Sequence, residues 1–340
     1  MTDNNPISPQ VSKDLPDLSI VVPAYYEEGN LEKLYSELSM VLLSLKLTWE
    51  IIFSDDGSRD KTWQTIEALH QKDSRVRGIR LSRNFGHQYA LFAGLAQAKG
   101  KAVISMDADL QHPPEVIPQM VDEWKKGSLI VYTIRLDQKN ISFFKKTTSR
   151  LFYRILSFLS GVNLQSGMAD FRLMDRQVVN SILQLREEGL FLRGLVQWVG
   201  YPTSSVKFQC RDRFRGVSQY TLKKMVRFAW TGITSFSIVP LRIGIFLGIL
   251  TSLAAFGELT YVVYAKLFTT SVVPGWASAV SILSILFGIL FILIGLLGEY
   301  IGRILIEVRR RPRFLISEQV GIENPKTDDS IRHQSKNHIS

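Results

Sequence analysis

"VISMDADLQHPPE", residues Val103–Glu115, begins as a short apolar run and then sets Asp107 and Asp109 one residue apart, with Gln111 and His112 close behind. Such a run bounded by turn formers reads as a buried strand. The chain carries 41 Lys and Arg against 31 Asp and Glu, so two carboxylates gathered at a strand end need a reason. The same plan recurs upstream. "LSIVVPAYYEEGN" from Leu18 reads as a β-branched strand, a Pro-containing turn and a helix start; "WEIIFSDDGSRD" from Trp49 reads as a strand, an acidic Gly turn and a helix; "VRGIRLSRNFGHQYALFAGL" from Val76 continues the series. This alternation predicts an α/β domain with a parallel sheet flanked by helices. Ligands of such sheets bind beyond the carboxyl ends of the strands, where "PAYYEE", "DDGSRD" and "DADLQ" would converge. One acidic turn alone could simply cap its helix. Three on one edge define a crevice.

At 340 residues the chain exceeds what one core usually fills, and its composition shifts after Ile238. Gly244 to Val263 and Trp276 to Leu297 each have about the 20 residues a bilayer core requires, and the second contains no charge. Arg242 precedes the first span, Arg303, Arg309, Arg310, Arg311 and Arg313 follow the second, and the hairpin between them holds only Lys266. The positive-inside rule therefore puts the soluble domain and both termini in the cytoplasm, integral to the inner or plasma membrane. The first 17 residues lack an apolar h-region and read as a disordered lead. Glu258, inside the first span, is either a functional residue or an interfacial one. "FFKKTTSRLFYRILSFLSG" from Phe143 and "YTLKKMVRFAWTGITSF" from Tyr220 mix aromatic, aliphatic and basic residues as interfacial helices do. The polar tail from Ser317 reads as disordered. The expected division is a lead (1–16), a cytoplasmic catalytic domain with interface helices (17–235), a two-helix transmembrane hairpin (236–302), and a basic juxtamembrane segment with a flexible tail (303–340).

The formal charge of +10 suits an anionic partner, and clustering of basic residues at membrane-facing segments favours lipid headgroups over nucleic acid. A single cysteine, Cys210, excludes a disulfide framework and a cysteine-rich zinc site. Walker, GxGxxG and HExxH patterns are absent, and the five histidines have no ligand spacing. Alternation along an extended segment would put Asp107 and Asp109 on one side. That arrangement suits Mg²⁺ or Mn²⁺, with a diphosphate supplying further oxygens and the metal neutralising the departing nucleotide.

The series "VVPAYYEEGN", "FSDDGSRD", "SRNFGHQYALFAGL", "MDADLQHPPEVIP", "ADFRLMDR", "RFRGVSQY", "GITSFSIVPLR" and "GEYIGRILIEVRRRP" resembles the inverting family-2 glycosyltransferases with a GT-A fold. More narrowly it resembles polyprenyl-phosphate glycosyltransferases of the bactoprenol glucosyltransferase type, relatives of dolichol-phosphate mannose synthase, over about Leu18 to Ile316. The resemblance implies that Pro23, Tyr25 and Glu27 line the nucleotide pocket and that Asp55 and Asp56 help hold the uracil. It implies that Asp107 faces ribose and metal, and that Asp109 binds the metal with Gln111. Asp170 stands where such enzymes carry a base or an acceptor-positioning residue, and Arg135, Arg150, Arg211 and Arg213 match or lie near acceptor-phosphate positions. A lipid monophosphate, with a second pKa of about 6, is already a competent nucleophile at neutral pH, so positioning outweighs proton removal. Departures are Tyr26 where Asn is usual, Gln219 where Lys is frequent and Arg215 where a small or neutral residue is usual.

The implied reaction is single-displacement transfer of a hexose, glucose from UDP-glucose first, to undecaprenyl phosphate by a homo-oligomer, with a tetramer as one option. Mannose or a modified aminoarabinose is the alternative sugar. A processive synthase would need a QxxRW motif and more spans, and a non-catalytic scaffold or flippase partner would leave the acidic edge unexplained.

Overall fold

The computed structural model describes residues 15–136, 168–185, 192–211, 239–268, 275–309 and 311–322. Arg150, Arg213, Arg215, Gln219 and both expected interfacial stretches lie outside the described residues. Eight strands form one sheet: β1 (Leu18–Ala24), β2 (Trp49–Asp55), β3 (Val76–Leu81), β4 (Ala102–Ser105), β5 (Ile130–Leu136), β6 (Met168–Asp175), β7 (Thr203–Gln209) and β8 (Ile316–Val320), in the order β7-β5-β6-β4-β1-β2-β3-β8. Strands β4, β1, β2 and β3 run parallel; β6 lies antiparallel between β4 and β5, β7 is parallel to β5, and β8 closes the far edge antiparallel to β3. This is the α/β, GT-A type, mainly parallel sheet expected from the sequence.

Every residue of β1 is buried, because helices cover both faces. Its Leu18, Ile20 and Val22 join α1 (Leu31–Ser44), whose Leu31, Leu34, Leu38 and Leu42 form one stripe at helical spacing. Val21 points to the other face, onto Leu91, Phe92 and Leu95 of α3 (His87–Gln97). Each such fully buried aliphatic side chain contributes about 1.5–3 kcal/mol. Helices α2 (Thr62–Lys72) and α4 (Ile117–Lys125) join the α1 side, while α5 (Arg176–Gln184) and α6 (Leu192–Trp198) join the α3 side.

Pro23 lies inside β1 rather than in the turn that the sequence pattern predicts. The Val21 carbonyl accepts from Met106 N–H on the β4 side, and β4 stops pairing with β1 at Ser105. Two residues on, the missing N–H of Pro23 falls beyond the end of β4, where no ladder bond is lost.

Helices α7 (Val239–Phe268) and α8 (Trp276–Arg309) contain stretches, Leu241–Tyr261 and Ile285–Arg309, long and apolar enough to cross a membrane. Their large side chains face outward: Phe256 is 68% exposed, Phe291 68% and Ile292 72%, unlike the core helix of a soluble domain. The two helices approach closely where Gly244 meets Leu293, since a β-carbon at Gly244 would lie 2.6 Å from Leu293 Cδ2. Glu258 is exposed on α7.

Two boundaries differ from expectation. Helix α8 continues through residue 302 to Arg309, since "GRILIEVR" keeps both helix-forming residues and apolar spacing. The tail read as flexible from Ser317 instead begins as β8, pairing Val320 with Gly78 and Glu318 with Arg80. A five-residue polar edge strand has too little alternation to be recognised from its own composition; its order comes from the exposed edge of β3.

Candidate active site

The topology brings nearly all described sequence-predicted residues to one edge. β1 ends in Tyr25 and Glu27, β2 in Asp55 and Asp56, β4 in the Asp107–His112 loop and β5 in Arg135; Arg211 follows β7, and antiparallel β6 begins there with Asp170. The chain order reverses between β4 and β2 around β1, the switch point where α/β sheets open a crevice.

Asp107 and Asp109 are not on an extended segment, as alternation predicted. β4 ends at Ser105, and the chain turns through Leu110 at φ 63. Gln111 N–H donates to Asp109 Oδ1 at 3.1 Å, and Asp107 N–H donates to His112 Nδ1 at 3.1 Å. His112 is buried and stacks on Phe171 with ring centroids 5.1 Å apart. Because Nδ1 accepts, the ring proton sits on Nε2, which lies 3.8 Å from Asp107 Oδ2. The turn therefore fixes the direction of Asp107 through backbone and imidazole.

Asp107 Oδ1 is buried and has no hydrogen-bond partner among the described residues; His87 Nε2 lies 3.4 Å away. An under-satisfied carboxylate oxygen beside Asp109 and Gln111 is a hard-donor set suited to Mg²⁺ or Mn²⁺. Among the described residues no group of three or more His, Cys, Asp or Glu forms a complete metal cage, so a bound cation would complete its shell with ligand or water oxygens.

Across the crevice, Asp170 is gripped by two arginines. Arg172 Nη2 donates to Oδ1 at 2.5 Å, while Arg193 donates Nε to Oδ1 at 3.0 Å and Nη2 to Oδ2 at 2.7 Å. Burial pushes the Asp170 carboxyl up, but the charges of Arg193 and Arg172 overcome it and hold the group well below the usual carboxylate range. A carboxylate held so firmly ionised is a poor proton acceptor. His87 Nε2, 3.9 Å from Asp170 Oδ2, sits between the two acidic groups.

The "DDGS" carboxylates are held partly by their own turn and partly by the segment after β3. Asp55 Oδ1 accepts from Ser58 N–H at 3.0 Å and its Oδ2 lies 3.4 Å from Arg80 Nε, while Asp56 accepts from the Phe85 and Gly86 N–H groups at 2.7 and 2.9 Å. Burial raises the pKa of both. Gly57 turns at φ 70, and a β-carbon there would lie 2.6 Å from the Arg83 carbonyl carbon. Tyr26 adopts φ 59, a left-handed conformation that Asn accepts more easily than Tyr. Its N–H donates to Ser58 Oγ at 3.0 Å. Glu27 N–H donates to Thr62 Oγ1 at 3.0 Å, and its carboxylate accepts from Asn30 Nδ2 at 2.5 Å. Between these turns opens a cavity of about 550 Å³ lined in part by Tyr25, Ser58, Arg59, Arg83 and Asn84, within the size range of small-ligand pockets.

Arg135 is exposed at the end of β5. Arg211 does not present an open fork: it donates to Glu37 at 2.6 Å and Glu115 at 2.5 Å, which tie the end of β7 to α1 and to the turn that leads into α4. Sequence reasoning missed His87, His112, Arg172 and Arg193. Arg172 had a readable signal, since Asp170-x-Arg172 puts both on one face of a strand; Arg193 had none, because its partner comes from another element.

The model of the family described as "Glycosyl transferase family 2" matches residues 19–183. The chain is 42% identical over 308 residues to an uncharacterised glycosyltransferase, YkcC, of Bacillus subtilis (strain 168), covering 91% of this chain and 95% of that protein. It is 41% identical over 307 residues to the uncharacterised glycosyltransferase sll0501 of Synechocystis, covering 90% of this chain and 96% of the relative. It is 37% identical over 301 residues to the bactoprenol glucosyl transferase of Shigella phage SfII, covering 88% and 97%. With the GT-A sheet, the acidic loop after β4 and similarity along nine-tenths of its length, the chain belongs to glycosyl transferase family 2, alongside the bactoprenol glucosyl transferases.

Proposed function

We propose that this glycosyltransferase moves a hexose, glucose from UDP-glucose, with inversion onto a polyprenyl phosphate such as undecaprenyl phosphate at the cytoplasmic face of a membrane. The observation that carries this reading is the joining, in one chain, of the Asp107–Asp109 loop to two outward-facing apolar helices of bilayer length. The 37% identity to a bactoprenol glucosyl transferase supports the same acceptor and sugar.

In this reading the cavity beside Tyr25 takes the nucleoside. Asp107 and Asp109, with Gln111, would hold Mg²⁺ or Mn²⁺, which when bound supplies positive charge against the diphosphate leaving group. His112 and the Asp109 turn keep the two carboxylates aimed at that point. Asp170 stays ionised and holds Arg172 and Arg193 in place, with the partly exposed Arg193 fork on the acceptor side. Arg135 adds a further exposed cation on that edge. A phosphate monoester needs no base, so aligning it behind the anomeric carbon is the main task.

The test is transfer of radiolabelled sugar to undecaprenyl phosphate by the full chain in detergent, with Mg²⁺ or Mn²⁺ and a panel of UDP- and GDP-sugars, beside Asp109→Ala. Labelled lipid from UDP-glucose, lost with EDTA and in the variant, is the expected result. Transfer from a different donor alone would replace glucose in the proposal, and no transfer from any donor by folded protein would overturn it.

A further inference from the structure

Part of the wall of the cavity beside Tyr25 does not come from the strand–turn–helix units that build the rest of the site. Ser317 and Glu318, on the strand that follows both membrane-length helices, line the same cavity as Ser58, Arg59 and Arg83. Glu318 reaches the site through Arg80 of β3. Arg80 Nη1 donates to Glu318 Oε1 at 2.6 Å, Nη2 donates to the Ser58 carbonyl at 2.8 Å, and Nε faces the buried Asp55 Oδ2 at 3.4 Å. Ser317 Oγ donates to the Arg80 carbonyl at 3.1 Å, and Ser82 N–H donates to the Leu315 carbonyl at 2.9 Å. Ser58 in turn accepts the Tyr26 N–H. One guanidinium fork thus connects β8 to the turn after β2, and Ser58 Oγ connects that turn to the residues after β1.

A planar guanidinium binds its acceptors in fixed directions, so the partner on one prong sets where the other prong points. Among the described residues Glu318 is the β8 side chain that holds the Arg80 guanidinium, and without it Arg80 can rotate toward solvent and the Ser58 carbonyl loses a charge-assisted bond. Resting on the nucleotide-sugar reading above, we infer that Glu318 is a positioning residue for the donor nucleotide. Through Arg80 it fixes the Gly57–Ser58 turn and, with Ser317, forms the wall against which the nucleoside end of a nucleoside diphosphate packs. Donor binding is thereby coupled to the segment tethered to α8.

The experiment uses the full chain in detergent and measures UDP binding by calorimetry, KM for donor and acceptor, kcat and melting temperature for wild type, Glu318→Gln, Arg80→Lys and the double variant. The pair is partly exposed, so Glu318→Gln is expected to raise the UDP Kd and the donor KM by about three- to five-fold, with kcat and acceptor KM within about two-fold and an unchanged melting temperature. Arg80→Lys keeps the charge but loses the fork and should give a similar rise, with the double variant no worse than the more affected single one. Unchanged UDP affinity in both single variants, or equal loss in donor KM, acceptor KM and kcat, overturns the inference while leaving the transferase reading intact. Wild-type protein that binds none of UDP, GDP, CDP or dTDP overturns both.

Discussion

Replacing Asp170 with Asn separates two roles that a buried carboxylate at this edge could have. The side chain is 6% exposed and faces Arg172, 3% exposed, and Arg193, 28% exposed. Asn keeps the volume and one acceptor oxygen but removes the negative charge that Arg172 and Arg193 share. Removing one partner from a buried charge cluster costs about 3–5 kcal/mol, and the retained amide oxygen puts this case near 3. For a domain of this size that corresponds to a fall in melting temperature of roughly 6–12 °C. The pH dependence has a definite sign. Asp170 has a folded-state pKa held below its unfolded value, so its contribution is complete above the unfolded pKa of about 3.9 and disappears as pH falls through the folded value. The stability gap between wild type and Asp170→Asn should therefore stay constant from pH 8 to about 5 and narrow only in stronger acid. Thermal melting in detergent across that range, with kcat at each pH, is the assay. A variant that melts with wild type, yet loses kcat in proportion to the ionised fraction of a group titrating near neutrality, would refute the ion-pair role and restore Asp170 as a base.

Other predictions follow from separate parts of the molecule. Asp107→Asn removes a carboxylate proposed to hold the metal and should lower metal-dependent transfer by about 10²-fold or more, read as kcat at saturating donor, while melting temperature holds. Glu50, buried against Arg77 and accepting from Ser19 Oγ at 2.6 Å and Lys99 N–H at 2.7 Å, ties the opposite strand ends together; Glu50→Ala should cost about 3–5 kcal/mol in urea denaturation without a change in donor KM. Gly57→Ala meets both positive φ and the Arg83 backbone, and should raise the UDP Kd and destabilise the domain by about 1–3 kcal/mol. Tyr26→Asn relieves a left-handed Tyr and should stabilise by about 0.5–1 kcal/mol in the same denaturation assay.

What the sequence revealed was local. Alternation of β-branched runs with helical stripes identified β1 to β4 and α1 to α4, because each pattern is written within a dozen neighbouring residues. The acidic turns were legible for the same reason, since strand ends in a parallel sheet all face one edge. The geometry of Asp107 and Asp109 was misjudged because two residues beyond Ser105 the chain has left the sheet, and period-two reasoning ends with the ladder. Pro23 was read as a turn because its tolerance depends on where β4 stops. Arg193 with Asp170, Arg80 with Glu318 and Arg77 with Gly321 join residues 23, 238 and 244 positions apart. Pairing over such separations leaves no trace in spacing, and a short polar strand such as β8 acquires its conformation only from the edge it meets.

The place of β8 in the chain also orders events during synthesis. The strands β1 to β7 leave the ribosome well before residue 316, so β3 remains an open edge with unpaired backbone groups while α7 and α8 are being made. Only after the second long helix has emerged can Ile316–Val320 cover that edge and Glu318 reach Arg80. A nascent domain cut off before α7 and α8 would carry both a sticky strand and an unfinished cavity, so completion of the fold reports that both long helices have been made.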